Sequence, residues 1–370
     1  MRVCMGTIVH HPEDARIMHR QIRALLAAGH DVTYVAPFTH CNVTPSPKIR
    51  AVDVPRAVGL RRAKAIRAAR GALRRAAADA DLIVVHDVEL LLALPRGRRV
   101  PPVVWDVHGD TAAALAAREH LAPMLRSVLV PLVRRLEARA ERRVRLIVAE
   151  EACLTRFRAP HPVVRNMPDV PETPPPPPGE DRVVHVGHLA TERGAAELIE
   201  LARLLRPHGI RMDLIGGADT AIRPRLRDAQ REGVLDWYGH VPSRYALRMV
   251  EGALAGLSLL RDLPHHRTAE PTKLIEYMSR GVPVISTPLP PAVSLIDEVR
   301  CGRVVPFGDP EAAARAVLRL REDLQERIEM GERGYREARR HHWPDHAPAF
   351  VALLESWAGA GATARRALAA

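Results

Sequence analysis

Two basic side chains in the second half of the chain are placed where they could stabilise negative charge. Lys273 falls in the first turn of a helix predicted over residues 272–280, and Arg193 stands just before a helix predicted over residues 195–205. Helix N-termini carry unpaired backbone N–H groups and a partial positive charge, so a nearby cation favours a phosphate or another anion there. The alternative is that both side chains are ordinary surface cations. The pattern therefore indicates an anion site and leaves the ligand open.

In the first half, candidate residues follow predicted strands. His108 comes directly after a strand predicted over residues 103–106, where a neutral imidazole can donate a hydrogen bond or stabilise charge. Asp14 and Arg16 follow the first strand, and they either contact a ligand or form an N-cap and a local ion pair for the next helix. Gly6 allows either a close backbone approach or a tight turn.

Alternating strands and helices must position these residues. In the first half, strands are predicted over 2–8, 31–35, 82–85, 103–106, 146–148 and 163–166, with helical stretches over 16–28, 63–78, 90–94 and 112–145. In the second half, strands are predicted over 182–187, 212–216, 235–238, 256–260 and 282–286, with helices over 195–205, 223–231, 244–251, 272–280 and 310–320. This alternation predicts two doubly wound α/β domains, each with a parallel sheet covered by helices on both faces.

A proline run separates the two halves. Pro174 to Pro178 and the prolines before them cannot form a helix or a central strand, so they predict a stiff polyproline spacer. We therefore predict a first domain over residues 1–167, a linker over 168–180 and a second domain over 181–342. Ligands of open α/β sheets bind beyond the carboxyl ends of the strands, so the active site is expected in a cleft between the domains.

Composition narrows the function classes. The chain has 370 residues and an apolar fraction of 47%, which can furnish two hydrophobic cores. It lacks a run of about 20 apolar residues, its first nine residues do not resemble a signal peptide, and its four cysteines are scattered, so we expect a cytoplasmic protein with reduced thiols. The net charge of +12 would suit nucleic acid, an anionic membrane or an anionic ligand, but the aromatic content of 4% disfavours a protein that stacks single-stranded bases.

The segment from Glu270 to Thr287, EPTKLIEYMSRGVPVIST, resembles the donor-binding signature of the GT-B glycosyltransferases, family 4 (glycosyl transferases group 1) in particular. Similar matches spread over nearly the whole chain: HPEDARI at 11–17, HD at 86–87, DVHG at 106–109, the strand end at Asn166, and VGH at 186–188 ahead of Arg193. The resemblance implies two facing Rossmann-like domains and a retaining transfer of sugar from a UDP- or GDP-type donor, with no cofactor and no metal. It also implies that residues 343–370 pack back on the first domain.

The same resemblance implies roles for individual residues. Lys273 and Arg193 would bind the donor diphosphate, and Glu276 would accept hydrogen bonds from the two ribose hydroxyls. His108 would contact the donor sugar near the reacting centre, as the catalytic residue. Gly6 would let the backbone approach the donor. Asp14 and Arg16 would contact the acceptor or the sugar.

The chain departs from the family pattern at two positions. The first of the paired glutamates would fall at Thr268, which is not acidic, and His188 stands where an arginine is common. Glu270 is expected to bind the donor instead, either through a different loop path or beside backbone amides that hold the sugar. Asp79 and Asp81 look like a metal-binding DxD pair, but they precede a strand and are interpreted as a helix stop.

The partners are less defined. The basic stretch over residues 61–75 predicts a peripheral contact with an anionic membrane at its inner face, or simply a solvated cationic helix. The acceptor could be a polysaccharide, a lipid-linked glycan or a natural product. Two other functions stay open: a nucleotide-sugar epimerase of the same architecture, and a non-catalytic basic protein that binds nucleic acid. No nucleic-acid partner is expected.

Overall fold

The computed structural model describes residues 1–97, 100–116 and 122–367, without the side chains of residue 60 and residues 360–367. The chain forms two compact units. The first comprises Met1–Asn166 together with Pro344–Ala370, and the second comprises Met167–Trp343. The change from one unit to the other falls just before the proline run.

The first unit is built on a parallel sheet of six strands in the order β3-β2-β1-β4-β5-β6. Cys4 of β1 lies opposite both Thr33 of β2 and Ile83 of β4, so β1 is central. Every residue of β4 is buried, as expected for a strand covered on both faces. The strands are β1 Arg2–Gly6, β2 Asp31–Ala36, β3 Arg50–Asp53, β4 Leu82–Val85, β5 Val103–Val107 and β6 Arg145–Val148.

Helices cover both faces of this sheet. The first helix is π-helical over Ala15–Ile22 and continues as the α-helix α1, Arg23–Ala27. Short 3₁₀ turns cover Gly59–Arg61, Val88–Leu92 and Glu151–Arg156. The other helices of this unit are α2 Arg62–Ala76, α3 Thr111–Ala116, α4 Pro123–Glu141 and α12 Trp343–Ala367. The last helix is held to this unit by Glu355, which lies 2.8 Å from the Nε2 atom of His30, and by Trp357, which lies under Arg145.

The second unit repeats the arrangement, with strand order β12-β11-β10-β7-β8-β9. Its strands are β7 Arg182–Val186, β8 Arg211–Ile215, β9 Asp236–Gly239, β10 Ala255–Ser258, β11 Val284–Ser286 and β12 Gly302–Val304. Its helices are α5 Ala195–Leu205, α6 Arg223–Arg231, α7 Ser243–Val250, α8 Thr272–Met278, α9 Pro290–Val299, α10 Pro310–Glu322 and α11 Leu324–Arg339. In each unit the strand order reverses between the first and fourth strands, where ligands of open parallel sheets bind.

The predicted α/β class and doubly wound topology are confirmed, with local corrections. The predicted strand over 163–166 is wrong, because Val163 makes only a single bridge with Val148. The long helical region is two helices, α3 and α4, and residues 117–121 between them lie outside the described residues. The sequence pattern missed β3, β12, α9 and α11. Helix α9 begins with Pro290 and Pro291. Prolines are accommodated in the first turn of a helix, although inside a helix they would break it.

Among the described residues, no helix combines the length and the apolar character needed to cross a membrane.

Candidate functional site

Glycines shape the carboxyl ends of β7 and β8. Gly187 follows β7 with φ of +136°, and Gly216 follows β8 with φ of +154°. A Cβ at Gly216 would lie 1.9 Å from the carbonyl oxygen of Gly187, so no other residue type fits there. At the switch point of the second sheet the backbone therefore carries no side chains at these two positions, and a ligand can approach the backbone there.

Tyr277 fixes helix α8 against the same strand ends. Its hydroxyl accepts a hydrogen bond from the N–H of Val186 at 2.9 Å and donates one to the carbonyl oxygen of Leu257 at 3.1 Å. A Cβ at Gly256 would lie 2.3 Å from the Tyr277 ring, so the ring packs directly on the backbone of β10. The orientation of α8, and of the side chains one turn earlier, is therefore set by two strands.

Lys273 lies one turn before Tyr277 and reaches Gly187. A Cβ at Gly187 would lie 2.6 Å from the Lys273 Cε atom and 2.8 Å from its Nζ atom. The Nζ atom is buried and has no hydrogen-bond partner within the described part of the chain. Burial, assisted by repulsion from Arg193 and opposed by Glu276, lowers the pKa of Lys273 to about 7. An unpaired buried ammonium is costly, and an anion bound beside it would offset that cost.

His185 is the second buried group with an unused polar atom beside Gly187. Its Nδ1 atom lies 3.0 Å from the carbonyl oxygen of Leu257, so Nδ1 carries the proton and donates it. Its Nε2 atom is buried and has no partner among the residues described. Burial and then the charge of Lys273 hold the pKa of His185 well below its usual value, so the ring is neutral.

Arg193 stands at the entrance to α5. It is exposed and precedes Gly194, the N-cap residue of α5, which has φ of +78° and no side-chain cap. A Cβ at Gly194 would lie 1.9 Å from the carbonyl oxygen of Leu259, so the chain passes tightly over β10. The uncapped N-terminus of an 11-residue helix and two cations therefore share one end of the sheet.

Most backbone donors at the start of α8 bond within the chain. Backbone amides at its start were expected to face a phosphate, but the N–H of Thr272 donates to the carbonyl oxygen of Glu270 at 2.8 Å. The N–H groups of Leu274 and Ile275 both donate to the carbonyl oxygen of Pro271. Because these N–H groups bond within the turn and the helix, the main positive group at the start of α8 is the Lys273 side chain.

The structure brings Lys273, Arg193 and Glu276 close enough for their charges to interact. Glu276 is half-buried on α8, and Glu270 is half-buried in the turn before it. His188, at the position where an arginine is common, instead lies 2.7 Å from Asp219 through its Nε2 atom in an exposed pair.

In the first unit, Asp87 organises the loop after β1. Its carboxylate accepts hydrogen bonds from the Thr7 hydroxyl at 3.0 Å and from the N–H groups of Ile8 and Val9. The Nε2 atom of His10 lies 3.5 Å from the same carboxylate. Asp87 is therefore a structural anchor for the loop that carries His10 toward the end of β5.

Asp106, at the end of β5, is the centre of a buried polar cluster. It accepts hydrogen bonds from Arg16 through Nε at 2.8 Å and Nη2 at 2.7 Å, and from the Gln21 amide at 2.7 Å. Burial alone would raise the pKa of Asp106, but the Arg16 guanidinium holds it well below its usual range. Arg16 and Gln21 share one face because the first helix is π-helical, so side chains five residues apart line up.

His108 joins this cluster at its edge. Its Nε2 atom lies 3.3 Å from Asp106 Oδ2 and 3.1 Å from His86 Nδ1, and the His10 ring lies 4.4 Å away, centre to centre. Burial lowers the pKa of His108 to about 4, although Asp106 opposes that change. The imidazole is therefore neutral at pH 7.

His86, Asp106 and His108 place one possible metal ligand atom each within 4.8 Å of one another. Asp106 Oδ2 already accepts hydrogen bonds from Arg16 and Gln21, so its lone pairs are occupied by N–H donors. We therefore interpret the three residues as a hydrogen-bonded cluster and keep the expectation that no metal is needed.

The remaining candidates of the first unit have structural partners. Asp14 caps the first helix, accepting from the N–H groups of Arg16 and Ile17. The local ion pair considered for Asp14 and Arg16 is wrong, because the buried guanidinium of Arg16 binds Asp106 and the carbonyl oxygen of Val164. At Gly6, a Cβ would lie 3.4 Å from the side chains of Leu73 and Leu90, which is an ordinary contact distance, so packing against the core does not by itself require a glycine there.

Sequence reasoning did not assign Gln21, Thr7, His185, Gly187 or Tyr277 to a site. Their positions carry a weak signal, because Thr7 and Gly187 directly follow strands at the switch points of the two sheets. Nothing in the sequence marked Gln21 as a site residue, because its hydrogen bond to Asp106 depends on the π-helical turn.

Replacing Gly187 by alanine tests how tightly Lys273 is held. The new Cβ would clash with the Lys273 side chain at a positive φ that side chains rarely adopt, so we expect Gly187→Ala to destabilise the second unit by about 1–3 kcal/mol and to displace the ammonium. Gly209→Ala is the matched control, because Gly209 has a positive φ of +71° with open space around it. Equal losses of urea stability in the two variants would contradict this packing.

Two family models and a curated relative match this chain. Residues 167–337 match the model described as Glycosyl transferases group 1, and residues 15–154 match the model described as Glycosyltransferase Family 4. Over 144 residues, 38% of this chain, the sequence is 27% identical to the amylovoran biosynthesis glycosyltransferase AmsK of Erwinia amylovora. That match spans 35% of AmsK, about a third of its length.

Solved structures show the same fold at low identity. Sucrose-phosphate synthase from Thermosynechococcus elongatus is 18% identical, with a TM-score of 0.75 over 97% of this chain and 100% of the other. HepE of Anabaena, solved in complex with UDP-glucose, is 15% identical, with a TM-score of 0.70 over 96% of this chain and 100% of that chain. With the two family models placed in order along most of its length, this chain belongs to the GT-B glycosyltransferases of the family 4 and group 1 type.

Proposed function

We propose that this protein transfers a sugar, with retention of anomeric configuration, from a nucleotide diphosphate sugar of the UDP or GDP type to a glycan acceptor. The observation that carries the proposal is the buried, unpaired ammonium of Lys273 beside the bare backbone of Gly187. The family supports a nucleotide-sugar donor, and the UDP-glucose complex of HepE favours uracil as the base. AmsK, which acts in amylovoran biosynthesis, favours a polysaccharide over a natural product as the acceptor.

The cations of the second unit account for the leaving group. Cleavage of the bond between the sugar and the diphosphate leaves negative charge on the diphosphate oxygens, and preformed positive charge stabilises that state. Lys273 supplies an ammonium from a site with little solvent, and Arg193 supplies a guanidinium from the surface above α5. The uncapped N-terminus of α5 adds backbone N–H groups.

Glu276 and Glu270 provide the oxygen acceptors of this site. Glu276 lies one turn after Lys273 on the same short helix, so its carboxylate reaches a ribose diol while the ammonium holds the phosphate. We assign Glu270, in the turn before α8, to a hydroxyl of the donor.

His108 provides a neutral ring for the sugar. Because the pKa of His108 is about 4, its imidazole is uncharged. With the Nε2–H directed at Asp106, the Nδ1 atom accepts a hydrogen bond from a sugar hydroxyl, and the ring does not repel a developing positive charge at the sugar carbon. Asp106, held by Arg16, fixes that ring.

A thermal-shift panel with ribose analogues tests the donor site. We expect one nucleoside diphosphate among UDP, GDP and ADP to stabilise the wild type, and the 2′-deoxy form of that nucleotide to bind about tenfold more weakly. In Glu276→Gln this difference between ribose and deoxyribose should shrink to about twofold, because the charged acceptor is lost. Glu322→Gln, a change of an exposed glutamate in the same unit, is the control and should keep the wild-type ratio.

Two outcomes would count against the proposal. No shift with any nucleotide at millimolar concentration would remove the donor site. A sugar nucleotide that is converted to its epimer with no acceptor present would show an epimerase instead.

A further inference from the structure

Helix α4 of the first unit leaves an apolar face exposed. Met124 is 80% exposed, Leu125 46%, Val128 61% and Leu132 55%. These are four of the ten exposed large hydrophobic side chains in the described part of the chain. They recur at intervals of three and four residues, so they form one stripe rather than scattered surface residues, which are normal on soluble proteins.

The same stripe turns basic toward the end of α4. Arg135 and Arg139 continue it at the helical spacing, and Arg142 and Arg143 follow at the C-terminus. All four side chains are exposed, and within the described residues their guanidinium groups make no hydrogen bond or ion pair. Exposed arginines without an acidic partner are available to an external anion.

The carboxylates of α4 do not reach this stripe. Glu137 is buried, with its Oε2 atom 3.1 Å from Arg134, and Glu141 accepts hydrogen bonds from the backbone of Arg158 and Ala159. From Met124 to Arg139 the stripe runs about 22 Å along the helix, with apolar side chains first and cations after.

We propose that the exposed stripe of α4, Met124 to Arg143, docks the protein on an anionic lipid bilayer. The apolar half enters the boundary between headgroups and acyl chains, and the arginines bind the headgroup phosphates. A second copy of this chain would bring the same four arginines to the interface with no acidic partner, and a nucleic acid would leave the apolar half unused.

Neighbouring elements extend this surface. The 3₁₀ turn Val88–Leu92 packs against both α2 and α4, and Leu92 within it is 47% exposed. The apolar side of α2 is buried in the core, whereas its outer side carries cations. The membrane contact expected from residues 61–75 therefore has charge but no exposed apolar stripe on α2, and α4 provides the stripe.

Co-sedimentation with vesicles tests the docking surface on the full chain. We expect binding to vesicles of phosphatidylcholine mixed with phosphatidylglycerol at low salt, and little binding to phosphatidylcholine alone. Leu132→Ser should lower the partition coefficient about tenfold, whereas Leu324→Ser, at the same exposure of 55% in the second unit, should not change it. Arg135→Glu with Arg139→Glu should lower it about thirtyfold or more, unlike Arg225→Glu with Arg227→Glu, which alters the net charge equally.

Three results would overturn the proposal. One is no sedimentation with the anionic vesicles. Another is vesicle binding that is unchanged both in Leu132→Ser and in Arg135→Glu with Arg139→Glu. The third is a dimer in light scattering that Leu132→Ser dissociates, which would assign the stripe to a second copy. Every α4 variant should keep the thermal shift that the nucleotide causes through the second unit. A failure of membrane docking is therefore distinguishable from a failure of the proposed donor site.

Discussion

Replacing Lys273 by methionine should weaken binding of the nucleoside diphosphate about 100-fold, or about 2.7 kcal/mol. The ammonium is a buried cation beside Gly187, without a hydrogen-bond partner in the described structure, so its charge-assisted contact with phosphate is not replaced by water or by another side chain. Isothermal titration calorimetry with the nucleotide identified in the thermal-shift panel measures this loss. Lys64→Met, a change of an exposed lysine on α2, should leave the affinity unchanged.

The same substitution should not destabilise the ligand-free protein. An unpaired buried ammonium disfavours the folded state, and methionine fills similar space without charge. We therefore expect the free energy of unfolding of Lys273→Met at pH 6 to equal or exceed that of the wild type. A variant that loses both stability and affinity would show that Lys273 is a structural residue.

The pH dependence follows from the pKa of Lys273, which burial lowers to about 7 in the folded protein, against about 10.4 when unfolded. Between those values the unfolded chain binds more protons, so through this group the ligand-free protein gains stability as pH rises from about 7. A diphosphate favours the charged ammonium, so nucleotide affinity should instead fall as pH rises above 7. Lys273→Met should show neither trend, and a wild-type affinity that is flat from pH 6 to 9 would contradict the burial of this group.

Replacing Asp106 by asparagine should lower the stability of the first unit by about 3–5 kcal/mol. Asparagine keeps the shape of the side chain but removes the charge that compensates the buried Arg16 guanidinium, so a cation would remain in the core without a counter-ion. Hydrogen exchange of the β5 and β6 amides in urea measures this change for the first unit alone, since the two units need not unfold together.

A double-mutant cycle separates the ion pair from general damage. Arg16→Met combined with Asp106→Asn should be more stable than the sum of the two single losses predicts, by about 1–3 kcal/mol, because no unpaired charge remains. Asp228→Asn removes an exposed pair with Arg231 and should have no measurable effect. Additive losses for Arg16 and Asp106 would contradict a coupled pair.

The structure also predicts how Asp106→Asn acts on His108. His108 Nε2 and His86 Nδ1 both contact the same carboxylate oxygen, so an amide in its place would change the tautomer or the tilt of the rings.

Local patterns in the sequence determined the elements and the chemical types. Apolar periodicity alone predicted β4, α5 and α6 with the bounds that the structure has, because those segments bury one face or both faces completely. The motif around Lys273 and Glu276 resembles the donor-binding signature of the family, and the sequence alone places the two residues together, because a cation and an acid one helical turn apart need only the local backbone to become neighbours.

Only the tertiary structure decided which distant groups meet. Arg16 pairs with Asp106 across 90 positions, and Tyr277 joins strands β7 and β10, because the strand order of each sheet places those ends side by side. The burial of the Lys273 ammonium and the exposure of α4 depend likewise on what packs nearby. Spacing along the chain carries no information about such neighbours, since parallel strands are paired through crossovers rather than through local turns.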